Sequence, residues 1–173
     1  VCVHALNVMK LALARSGVWL SDGAMNILPL PKFKVEPGHS LSPSQREANH
    51  LAVKFAWQSS YNSVQSSLRL GYYQGWDLHP AQIGPRLVAN YAFFLRDLDA
   101  ATLRLKNFIA RAAQATALGG VFDDAASGQG LLNFFLRALN SGAITESELQ
   151  PTGLSLTDLR SRSFMDIAAD LRG

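Results

Sequence analysis

Asp77 and His79 stand two positions apart in the stretch from Gly71 to Gln82, Gly-Tyr-Tyr-Gln-Gly-Trp-Asp-Leu-His-Pro-Ala-Gln. In an extended chain they face the same side. A carboxylate and an imidazole so placed can orient each other for acid–base work. The plainer account makes them a helix cap and a turn-fixing histidine before Pro80, and for His79 that account is favoured. Gln82 can hydrogen-bond either the turn or a ligand. Asp22, followed by Gly23, is a turn aspartate or, at the end of a strand, a pocket residue. Asp123 and Asp124 precede an apolar helix, where the helix dipole favours acidic residues.

Other chemistries find little support. His4, His39 and His50 show no metal spacing with Cys2 or with each other. Arg86, Arg104 and Arg111 serve equally as anion partners or as helix surface. No Ser-His-Asp elbow, P-loop or dinucleotide fingerprint occurs, and no metal-ligand set is read in the chain.

These residues need elements to hold them. Residues 2–16 have helical apolar spacing through Val3, Leu6 and Leu13, and Gly17 suits a helix stop. Val18–Ser21 reads as a short strand before the Asp22-Gly23 turn. Residues 24–42 are irregular, broken by Pro29, Pro31 and Pro37, and long for a compact domain. Ser42-Pro43-Ser44-Gln45 starts a helix, with Ser42 as N-cap, Pro43 at the first position and Gln45 at the third, and Ser44 with Glu47 is the alternative capping box. That helix runs to about Leu70 with Val53, Trp57, Tyr61, Val64 and Leu68 as its stripe, and Gly71 ends it. Tyr72–Asp77 reads as a second strand, rich in aromatics. Helices follow over 83–94, from Asp97 to about residue 118, and over 128–139. The second of these carries the stripe Leu98, Ala101, Leu105, Phe108, Ala112, Ala115. The third is apolar nearly all round. Thr145–Glu148 and Ser155–Asp158 are further capping boxes.

The run Gly75-Trp76-Asp77-Leu78-His79-Pro80-Ala81-Gln82 resembles the last strand and turn of the HpcH/HpaI aldolase and citrate lyase β-chain family, within the pyruvate/phosphoenolpyruvate-binding superfamily. Family members carry a Gly-Lys-x-x-Ile-His-Pro-x-Gln pattern there, with Trp76 replacing Lys in this chain. Asp22-Gly23 matches the pair that follows the preceding strand. The resemblance implies an α/β fold: the C-terminal part of a (β/α)8 TIM barrel (its last two strands) followed by an all-helical extension. It places the barrel portion at residues 1–118 and the extension at 119–173. The 173 residues fall short of the roughly 250 of a whole barrel, so a longer natural protein is expected.

The family makes or breaks carbon–carbon bonds in oxo-acid or acyl-thioester substrates. The resemblance implies Mg²⁺ held by a Glu and an Asp upstream of Val1, with the metal polarising a carbonyl. Asp22, Gly23, Asp77, His79 and Gln82 would then border the substrate. Asp124 or Asp123, after the Ala-rich helix, would supply an acid to a neighbouring subunit in a homo-oligomer. The alternatives are a non-catalytic helical interaction module and a pseudo-enzyme.

Composition narrows the partners. Hydrophobic residues make up 48 % and charged ones 17 %, with net charge +3 and no basic block, so nucleic-acid binding is not expected. The single cysteine fits a reducing compartment, the cytoplasm. No apolar run is long enough to span a bilayer.

Overall fold

A computed structural model describes residues 2–14, 16–18, 20–73, 75–117, 124–161 and 163–170. It is all-helical. Eight α-helices lie among the described residues: α1 (Cys2–Leu13), α2 (Pro43–Arg69), α3 (Ile83–Arg96), α4 (Leu98–Ala117), α5 (Ala125–Asn140), α6 (Glu146–Leu149), α7 (Leu156–Ser161) and α8 (Phe164–Asp170). Short 3₁₀ turns cover Pro80–Gln82 and Gln150–Thr152. The chain divides into two compact units, Val1–Ala89 and Asn90–Gly173, with the division inside α3. The boundary expected at 118/119 lies outside the described residues at both positions but for Ala117 before it.

In the first unit α2 is the longest element. Ser42 caps it as expected: its Oγ accepts from the Gln45 N–H (3.2 Å), and Gln45 Oε1 accepts from the Ser42 N–H (2.9 Å). Its other end closes in a Schellman motif. Gly71, at φ +80°, donates to Leu68 O (3.0 Å), and the Tyr72 N–H donates to Ser67 O (2.9 Å). The buried face of α2 is Ala56, Ser60, Val64, Ser67 and Leu68, whereas Trp57 is 52 % exposed. The expected stripe is therefore rotated towards small residues. The long segment before α2 is irregular, as expected. The Asn49 side-chain amide pairs with both the N–H and the carbonyl of Phe33, each at 2.8 Å.

The barrel expectation is overturned. Among the described residues there is no strand, so the last two strands of a (β/α)8 barrel are not formed and the chain is not α/β. The two expected strand segments do meet, but only in one isolated parallel bridge, Ser21 to Tyr73. The Asp22 N–H donates to Tyr73 O at 3.1 Å, and the Ser21 hydroxyl donates to the same carbonyl at 2.8 Å. The reason lies on both flanks. The Tyr72 N–H is spent on the α2 cap, and by His79 the chain is already entering a 3₁₀ turn. Aromatic strand propensity is a weak, context-dependent preference, and a two-stranded piece without further neighbours is marginal.

The second unit is a small helical bundle. α4 packs on α5 and α8, and α5 also packs on α7 and α8. Ala101, Leu105, Ile109 and Ala112 are buried along α4, which follows its sequence stripe closely. Phe135 and Phe164 are buried almost completely. The Phe164 ring lies directly on Gly128, where a Cβ would come within 2.6 Å of three ring carbons. Phe93, Phe94, Phe134 and Phe135 form a chain of ring contacts, with edge-to-face pairs at 5.1–5.4 Å.

Candidate functional site

The residues singled out at 22–23 and 77–82 gather in one corner of the first unit. Three elements position them: the segment after α1, the end of α2, and the turn into α3. Asp22 is half-buried. Its Oδ2 accepts from the Ser67 hydroxyl at 2.5 Å, and its Oδ1 accepts from the Gly23 N–H at 2.8 Å. Gln82 is 2 % exposed. Its Nε2 donates to Met25 O at 2.5 Å, and its Oε1 accepts from the Leu78 N–H at 2.9 Å. One side chain therefore ties the turn to the segment near Asp22.

Asp77 takes Arg86 in a fork. Arg86 Nε lies 3.0 and 2.9 Å from the two carboxylate oxygens, and Nη2 lies 2.8 Å from Oδ2. The side chains are 13 % and 16 % exposed, so the pair is largely out of water. Arg86 Nη1 has no partner among the described residues. His79 is extended (φ −150°, ψ 141°), and its Nδ1 accepts from the Ala81 N–H at 3.1 Å. This fixes Nδ1 as the unprotonated nitrogen. Pro80 follows at the first position of the 3₁₀ turn, where a missing N–H costs nothing. His79 and Asp77 are not hydrogen-bonded to each other, so the acid–base pairing suggested by their spacing does not form.

Between these groups lies a cavity of about 10 Å³, bordered by Met25, Ser60, Trp76, Asp77, Gln82 and Arg86 among others. That is close to the minimum for one water-sized group. The Ser60 hydroxyl, on a residue 3 % exposed, has no hydrogen-bond partner among the described residues. Sequence reading overlooked Ser60 and Ser67. Their seven-residue spacing on α2 was the available signal, since it puts both on one face.

Asp124 belongs to the second unit. It sits at the N-cap position of α5, exposed, and its side chain makes no capping hydrogen bond. Asp123 lies outside the described residues. No group of three or more His, Cys, Asp or Glu among the described residues could hold a metal ion. No helix among the described residues is long and apolar enough to cross a membrane.

Glu148 is held below the ordinary value of 4.5, first by the backbone N–H of Thr145 and then by its hydroxyl. This is the capping box of α6, and it is structural.

No curated protein and no solved structure matches the chain. A family model does, over residues 1–167. The chain thus belongs to the family described as a domain of unknown function, DUF6986.

Proposed function

We propose that this chain works as part of a metal-dependent carbon–carbon lyase of the aldolase and citrate lyase type, acting on oxo-acid or acyl-thioester substrates. The observation that supports it is the meeting of two stretches some fifty residues apart, 21–25 and 73–82, through the Ser21–Tyr73 bridge and the Gln82–Met25 hydrogen bond. These are the stretches that resemble the aldolase family. In this reading Asp22, Gly23, Asp77, His79 and Gln82 border the substrate. Arg86, steadied by Asp77, offers Nη1 to a carboxylate. Asp124 would give up a proton to the site of a neighbouring subunit. Mg²⁺ would be held by residues outside this chain. The protein works in the cytoplasm as a homo-oligomer, a placement supported by its single cysteine and by the resemblance.

The test is a Mg²⁺-dependent assay of the protein in its natural length. Release of pyruvate, glyoxylate or a related oxo-acid is expected, with KM raised in Arg86→Met. A folded protein that releases no oxo-acid from any candidate substrate refutes the reading. The second reading, a non-catalytic interaction module, is favoured by one observation. Asp22, Asp77, His79 and Gln82 are each already engaged in hydrogen bonds that hold the fold.

A further inference from the structure

Within the first unit, α2 and the start of α3 enclose a second concavity, away from the aspartates. Its volume is about 510 Å³, within the range of small-molecule sites. Trp57, Tyr61, Pro85 and Val88 give it apolar walls, Gly84 lies between them, and Lys54 stands at its edge. Lys54, Trp57 and Tyr61 fall on one face of α2 by helical spacing. The Lys54 ammonium, the Trp57 indole N–H and the Tyr61 hydroxyl make no hydrogen bond or ion pair among the described residues. Among the described residues no acidic side chain lines the groove.

Gly84 is the second observation. It is the second residue of α3. Its φ is not positive, and a Cβ built on it would meet nothing within 4 Å. As the residue before Pro85, Gly84 avoids the clash that a Cβ in helical geometry would make with the proline ring. Its missing side chain also leaves the groove open.

We propose that this groove binds a small planar aromatic anion. The ring lies against Trp57, Pro85 and Val88, and the negative group faces Lys54, the only charged residue of the lining among the described residues. Aromatic walls with one cation and no competing acid match that chemistry. The site does not depend on the lyase reading.

Two probes separate the sources of such a ligand: 2-naphthoate for an aromatic carboxylate and adenosine monophosphate for a nucleotide. Binding to the intact chain is measured by calorimetry, with ¹H–¹⁵N shifts locating the site. Saturable one-to-one binding of either probe is expected. Lys54→Gln should weaken it by up to about fivefold, as for an exposed ion pair. Gly84→Phe should abolish it with the helical circular dichroism unchanged, because the new side chain enters open space. Leu51→Ala, exposed and outside the lining, should bind as the parent does. If neither probe saturates, or if Lys54→Gln and Gly84→Phe bind as tightly as the parent, the proposal is overturned.

Discussion

Replacing Gly128 with alanine tests the packing of the second unit at its tightest point. The added methyl would lie 2.6 Å from Cγ, Cδ2 and Cε2 of Phe164. Carbon atoms prefer about 3.5–4.0 Å, so helix or ring must give by roughly 1 Å. The ring has little freedom to retreat. Phe164 is 1 % exposed, and its backbone N–H is held by Gln129 Oε1 at 2.9 Å. Overpacking of this kind costs about 1–3 kcal/mol. Alanine returns roughly 0.5–1 kcal/mol of helix propensity over glycine. The net loss should be about 1–2 kcal/mol, or a Tm lower by roughly 5–10 °C for a unit of this size. Gly130, two residues on in α5, supplies the control. A Cβ there meets nothing within 4 Å, so Gly130→Ala should raise stability by about 0.5–1 kcal/mol. Both variants are read by thermal melts at 222 nm. If Gly128→Ala melts at or above the parent, or if the two variants shift in the same direction, the packing argument fails.

Two further outcomes follow from polar contacts. Asp77→Asn leaves Arg86 largely buried beside a neutral amide, and should cost about 1.5–3 kcal/mol. Denaturant unfolding followed by tryptophan emission reads this, since all three tryptophans lie in the first unit; a change within about 0.5 kcal/mol would show that the pair carries no net stability. For Glu148 the folded carboxyl lies below 4.5, so its contribution is present above the unfolded pKa and is lost as pH falls through the folded value. A ¹³C titration should find Glu148 below the ordinary glutamate range. In Thr145→Val it should rise only part of the way, because the backbone N–H, the larger cause, remains. An unchanged titration would reject the hydroxyl's share.

What the sequence made legible was local. Ser42 with Gln45, Thr145 with Glu148 and Ser155 with Asp158 specify capping boxes within four residues, and each forms. The stripe of α4 was readable because it is apolar at regular spacing on a helix packed along one side. The buried face of α2 was legible only at Val64 and Leu68, because the rest of it is made of small and polar residues. Ala56, Ser60 and Ser67 are buried, while the bulkier Trp57 stays half outside. Size and polarity mislead where the neighbour approaches closely. The expected strands failed for a different reason. A strand is completed by a partner, and the partner's backbone groups were committed elsewhere, to the α2 cap and to the turn at Pro80. Asp22, Asp77 and Gln82 do share a corner, each in hydrogen bonds that hold the fold. The long-range contacts Asp22–Ser67 and Gln82–Met25 leave no mark in local spacing.

The irregular segment before α2 borrows its order. It is stitched at separated points: Asp22 to Tyr73 and Ser67, Met25 to Gln82, and Phe33 to Asn49. One long loop thereby becomes several short arcs. Doubling an arc adds only about 0.6 kcal/mol of closure entropy, so undoing one stitch frees little and leaves the others in register. The segment's persistence then tracks α2 and the 80–82 turn rather than its own composition, and a strand-poor, proline-broken stretch can keep Asp22 in place without secondary structure of its own.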